Sequence, residues 1–172
     1  QVLFPKDELE IMDYNRVIKD LNGHSEEEFM NLLSEKFTVE KVGNKAYHPE
    51  KKHTFGMFLD GTWYKLSAKD GTFDKNDPVA QLDVSILQNN VISPIFGIND
   101  PRTDKRIDFI GGIRGLGELE RRVNTDMRVA FSMYPTTLDD LTDIADAGKI
   151  MPPKSTWFEP KLLSGLFIHK LS

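Results

Sequence analysis

Apolar positions along this chain follow two rhythms. Phe29, Leu32 and Leu33 recur at helical spacing behind Ser25-Glu26-Glu27-Glu28, a capping box in which Ser25 and Glu28 each satisfy the other's backbone amide. The pattern predicts a helix from Ser25 to near Lys36, followed by a short strand over Phe37 to Val42. Ahead of the helix, Leu9 to Tyr14 reads as a strand, and Val2 to Phe4 as the tail of an earlier one. Between Phe55 and Leu66 two β-rich runs flank Asp60-Gly61, which supplies the positive φ of a tight hairpin turn. Asp77-Pro78 has the form of a helix start, with Asp77 as N-cap and Val79, Leu82 and Ile86 facing inward.

The second half alternates strand and helix. Arg106 to Ile110 reads as a strand. Leu116 to Val123 reads as a helix with Leu116, Leu119 and Val123 inward and Glu118 paired to Arg122. Met127 to Tyr134 reads as a strand with Met127, Val129, Phe131 and Met133 on one face; the small Ala130 and Ser132 opposite suit a covering helix. Thr137 caps a last helix carrying Leu138, Leu141 and Ile144, with Gly148 as its stop, and Leu166 to Leu171 forms a final strand. The expectation is one α+β domain over residues 1–172: a mixed β-sheet with a hairpin and packed helices.

Composition narrows the function classes. The chain has 172 residues, no cysteine and a net charge of −5. Disulfide and thiolate chemistry are excluded, and a reducing cytoplasm is the expected compartment. An acidic chain whose basic residues alternate with acids, as in Asp100-Pro101-Arg102-Thr103-Asp104-Lys105-Arg106, disfavours nucleic acid as a partner. No apolar run approaches the roughly 18 residues of a membrane span. The start, Gln1-Val2-Leu3-Phe4-Pro5, reads as a cut near a domain boundary of a longer protein.

Four places could carry chemistry. Gly111-Gly112-Ile113-Arg114-Gly115-Leu116-Gly117 leads from a strand to a helix. Its glycines would let amides approach an anion and Arg114 would add a bidentate contact; a tight connection is the plainer alternative. Met151-Pro152-Pro153-Lys154-Ser155-Thr156-Trp157-Phe158-Glu159-Pro160-Lys161 holds lysines, hydroxyls and a carboxylate between prolines. Lys154, Ser155, Thr156, Glu159 and Lys161 would hold a phosphate with Trp157 excluding water, or the run is a core cover. The acids of the Asp100–Asp108 turn could hold Mg²⁺, or ion-pair with their basic neighbours. Finally, His24, His48, His53 and His169 show no zinc spacing; His53, just ahead of the hairpin, is a candidate base.

Several long motifs resemble one family. Tyr14-Asn15-Arg16-Val17-Ile18-Lys19-Asp20-Leu21, His53-Thr54-Phe55-Gly56-Met57, Leu82-Asp83-Val84-Ser85-Ile86-Leu87, the Asp100–Ile107 turn and the Met151–Lys161 run together resemble the C-terminal half of domain-of-unknown-function family 1015. The resemblance implies that a ParB-like half precedes this one in the complete protein. That class includes free-serine kinases, and family members sit beside serine-biosynthesis genes. The implied function is the substrate-binding half of a cytoplasmic enzyme handling a small phosphate, by phosphotransfer or hydrolysis on phosphoserine or serine. The fragment alone would then be inactive, and a nucleotide or Mg²⁺ would be the candidate cofactor of the whole. Asn15 and Arg16, inside the first motif, join the candidate ligand-binding set, and the partners implied are the chain's own N-terminal half, a small phosphorylated ligand and a homo-oligomer. The alternatives are a non-catalytic interaction or dimerisation domain and a DNA-associated accessory domain. The phosphate reading expects the glycine turn and the Pro-Pro-Lys-Ser-Thr-Trp loop to converge.

Overall fold

The computed structural model describes residues 10–159. Strands β1 (Glu10–Met12) and β2 (Tyr14–Ile18) are followed by helix α1 (Glu26–Lys36), β3 (Phe37–Gly43), β4 (Thr54–Leu59) and β5 (Thr62–Ala68). Then come helix α2 (Asp83–Leu87), β6 (Ile107–Gly111), α3 (Leu116–Thr125), β7 (Val129–Ser132), α4 (Leu138–Asp146) and β8 (Trp157–Glu159). Six strands form one sheet in the order β3-β5-β4-β7-β2-β6, and β1 pairs with β8 in a separate two-stranded sheet. The α+β class, the hairpin and the packed helices are those expected. Every ladder among the described strands is antiparallel rather than mixed.

Local chemistry explains the sharpest boundaries. Ser25 Oγ accepts from the Glu28 amide at 3.2 Å while Glu28 Oε2 accepts from the Ser25 amide at 2.8 Å, closing the capping box of α1. Asp60 (φ 47°) and Gly61 (φ 71°) make the left-handed pair that joins β4 to β5, and Leu59 sits directly opposite Thr62. Thr137 and Asp140 form a second capping box at α4. In β7, Val129 and Phe131 face one core and Ala130 faces another. On that second side α3 lays Leu119 against Ala130, Val17, Phe58 and Trp63, which is the covering helix the small residue anticipated. The larger core holds Phe29, Leu33, Phe37, Phe55, Phe96 and Phe131.

Three expectations change. The strand read over Leu9 to Tyr14 is two, β1 and β2, turned at the buried Asp13. Burial of Asn15 and Arg16 in β2 hides the alternation that would have marked it. Asp77 does cap, accepting from the amides of Val79 and Ala80 at 2.8 and 3.2 Å, but it caps a turn. Leu82 is extended (ψ 138°) and α2 begins only after it, because every residue from Leu82 to Leu87 is buried and one inward stripe cannot achieve that. Glu118 binds Arg121 at 2.7 Å rather than Arg122. Arg122 is drawn instead to Asp108 on β6 and to Asp126, both at 2.8 Å. Val2 to Phe4 and Leu166 to Leu171 lie outside the described residues.

Candidate functional site

The site is built around Arg16. It stands on β2, flanked by β6 and β7, and is opposed by Phe109 on one side and Phe131 on the other. Alternation along β2 places it on the same face as Ile18, that of the larger core. Only 4% of the residue is exposed. The guanidinium lies 5.5 Å from the Phe109 ring centroid. Nη1 donates to the Tyr14 carbonyl and Nη2 donates to the Lys154 carbonyl at 2.8 Å. Lys154 has φ 59°, a left-handed backbone uncommon for a residue with a Cβ. Lys154 Nζ sits 5.6 Å from the Phe109 ring and 5.9 Å from the Tyr14 ring.

Among the described residues no carboxylate forms an ion pair with Arg16. Its neighbours give it carbonyl dipoles but no counter-charge. Burial pulls its pKa down to about 10, opposed by longer-range attraction to Tyr14 and Asp83. A buried cation without an anion is costly. Arg16 opens into a cavity of about 560 Å³, whose wall includes Ser85, Asn89, Arg102, Phe109 and Pro152. That volume lies within the range of small-molecule sites. Arg102 brings no free charge: Nε and Nη2 each meet Asp100 at 2.9 Å, and that contact holds the Asp100 carboxyl down at about 2.

The Met151–Lys161 run meets this site from one side. Ser155 is buried, donating to the Pro152 carbonyl at 2.5 Å and accepting from Thr136 Oγ1 at 3.0 Å through its own carbonyl. These bonds fix the loop whose Lys154 carbonyl holds Arg16. Thr156 is half-buried beside it. Trp157 Nε1 donates to Glu159 Oε1 at 2.7 Å, and the indole lies edge-on to Tyr14 with centroids 5.3 Å apart. Lys161 lies outside the described residues.

The glycine turn and the proline run do meet, at Gly111. A Cβ on Gly111 would fall 2.7 Å from the Trp157 ring, so the indole rests on bare backbone. A Cβ on Gly112 would fall 2.0 Å from Asp13 Oδ1, and the Gly112 amide donates to the Asp13 carbonyl at 2.8 Å. Arg114 stands apart from the cavity, exposed, with Nη1 4.0 Å from Glu118. Asn15 is fully buried; it donates to Asp13 Oδ2 at 2.5 Å and accepts from the Met133 amide at 2.9 Å.

His53 is away from the cavity wall. Its ring Nε2 donates to the Gln81 carbonyl at 3.1 Å and packs 4.4 Å from Phe73; burial lowers its pKa. Its backbone amide donates to Asp83 Oδ1 at 2.8 Å. Asp83 Oδ2 is buried and has no hydrogen-bond partner among the described residues. Burial foremost, and then Asp140, raise the Asp83 carboxyl to about 7. Asp83 faces a chamber of about 10 Å³ that also touches Lys52 and Asp140. Lys52 Nζ meets Asp140 at 2.6 Å. Residue-by-residue reasoning left out Asp83, Ser85 and Asn89. The available signal was two polar residues inside the otherwise apolar run Leu82-Asp83-Val84-Ser85-Ile86-Leu87.

The acids of the Asp100–Asp108 turn are engaged by arginines, Asp100 by Arg102, Asp104 by Arg106 and Asp108 by Arg122. No group of three or more His, Asp or Glu among the described residues is arranged to hold a metal. No described helix is long and apolar enough to cross a membrane.

Among solved structures, the fold is similar to a free serine kinase variant in complex with AMP, with TM-score 0.50 and 14% identity over 88% of this chain. It is similar in the same measure to a free serine kinase variant in complex with ADP, again at TM-score 0.50 and 14% identity. A conserved hypothetical protein from Pyrococcus furiosus aligns with TM-score 0.49 and 13% identity over 88% of this chain and 56% of that one. The chain spans about half the length of the kinase structures, 54% of each. No curated protein sequence matches it. Its residues 1–85 match the family model described as "Protein of unknown function (DUF1015)".

Proposed function

We propose that this chain is the anion-binding part of a small-molecule enzyme that handles a phosphate group, the Arg16 cavity taking the phosphate-bearing ligand. The observation that carries this reading is the buried guanidinium of Arg16, open to a cavity of about 560 Å³ and without an ion-paired carboxylate among the described residues. A ligand phosphate would supply the missing counter-charge and accept charge-assisted hydrogen bonds. Lys154 Nζ, 5.6 Å from the Phe109 ring that the guanidinium also faces, would add to the positive field around Arg16. The likeness in fold to free serine kinases caught with AMP and ADP supports a nucleotide or phosphoserine-like ligand. Because the chain spans about half of those structures, we assign the groups that make and break bonds to the remainder of the protein.

Thermal unfolding of the chain with inorganic phosphate, phosphoserine, AMP or ADP tests this. A ligand at about 100 times its Kd should raise Tm by roughly 5–10 °C. Chloride at matched ionic strength should give no such rise. If none of the four phosphates shifts Tm, the cavity is not a phosphate site.

A further inference from the structure

Ser85 is buried, only 7% exposed, yet its hydroxyl has no partner among the described residues, and the residue lines the Arg16 cavity. A serine inside a helix usually returns its hydroxyl to the carbonyl four residues back. Ser34 does so here, donating to Met30 at 2.7 Å, and Thr125 donates to Arg121 at 2.6 Å. For Ser85 that carbonyl is Gln81's, which already accepts from His53 Nε2 at 3.1 Å. The carbonyl three back, Leu82's, already accepts the amides of Ser85 and Ile86, both at 2.9 Å. Both local outlets are therefore engaged, and the hydroxyl is left to the cavity. Arg16 is in a matching position: two of its N–H bonds go to the Tyr14 and Lys154 carbonyls, and the rest have no acceptor among the described residues. The wall thus offers a delocalised cation and a neutral hydroxyl that can donate or accept.

Resting on the reading of this cavity as an anion site, we propose that the Ser85 hydroxyl and the Arg16 guanidinium together seat the phosphate of a phosphate monoester, and that Ser85 is the residue selecting phosphate over carboxylate. A planar carboxylate is satisfied by one edge of a guanidinium through its two oxygens. A tetrahedral phosphate carries a further oxygen out of that plane, and a hydroxyl on the same cavity wall as the guanidinium can donate to it. A hydrogen bond to a charged acceptor is worth about 10- to 100-fold in affinity.

The experiment is calorimetric titration of the chain with inorganic phosphate, AMP and acetate, in wild type, Ser85→Ala and Ser85→Thr. Ser85→Ala should weaken phosphate and AMP by at least about tenfold and leave acetate unchanged, with Ser85→Thr restoring most of the loss. Circular dichroism and Tm of each variant confirm that the fold is retained. Equal phosphate affinity in Ser85→Ala and wild type overturns the role of Ser85 while the cavity reading stands. Equal losses for acetate and phosphate overturn the selectivity. Absence of phosphate and AMP binding in wild type overturns both readings together.

Discussion

Asp83 and Gly111 show how single residues constrain this fold. Asp83 keeps an unpartnered carboxylate oxygen beside the Lys52–Asp140 pair, and burial raises its carboxyl to about 7. An unfolded aspartate titrates near 4. Between those values the unfolded chain releases a proton that the folded protein keeps, so the Asp83 contribution lowers stability as pH rises from about 4 to about 7 and is level beyond. The total is on the order of 4 kcal/mol. Asp83→Asn retains an acceptor for the His53 amide and cannot ionise. Urea unfolding at pH 5 and pH 8 should show this variant losing that slope and exceeding wild type at pH 8. His53, lowered by burial, contributes an opposite slope below pH 6.5, which is why the difference between the two proteins is the informative quantity. Gly111 is constrained by shape: a methyl there would lie 2.7 Å from Trp157. Gly111→Ala should cost about 1–3 kcal/mol in unfolding free energy and shift tryptophan emission as the indole is displaced.

At the scale of elements, local signals governed the places where one short segment contains its own partner. The Ser25–Glu28 box and the Asp60–Gly61 turn were legible because their hydrogen bonds and φ values are set within four residues. Thr137 belongs to the same class, and Thr137→Ala should destabilise the protein by about 1 kcal/mol in a urea titration. Helix α2 was not legible in this way. Its start depends on Leu82 entering the core and on Asp83 receiving the His53 amide from thirty residues away. The Met151–Lys161 run was visible as a rigid loop, but its use was not. Lys154 serves through its backbone carbonyl, and its φ of 59° makes that possible. Lys154→Gly should leave Tm unchanged or higher, since glycine adopts this φ without strain, whereas Lys154→Val should lower stability by about 1–2 kcal/mol.

For the whole molecule, the arrangement that matters is a cation placed on a core face by pairings far apart in the chain. Arg16 meets Phe109, Phe131 and the Lys154 carbonyl, the last 138 residues away. Strands β4 and β7 occupy the middle of the six-stranded sheet, while β1 and β8 pair only with each other among the described strands. Native-state hydrogen exchange should therefore show the slowest amides in β4 and β7 and faster opening in β1 and β8. A bound phosphate should slow exchange around Ser85 and Asn89 before it affects the sheet centre, because those residues border the cavity.

The Ser25 and Thr137 caps, the hairpin and the α+β class followed from the sequence by itself, since neighbouring residues carry both halves of each local interaction. So did the family motifs. The tertiary structure decided that Arg16, rather than Arg114, is the buried cation, that Trp157 covers Gly111, and that Ser85 is left with an open hydroxyl. Each of those facts depends on which distant groups have already engaged a carbonyl, a carboxylate or a patch of bare backbone, and spacing along the chain carries no record of that.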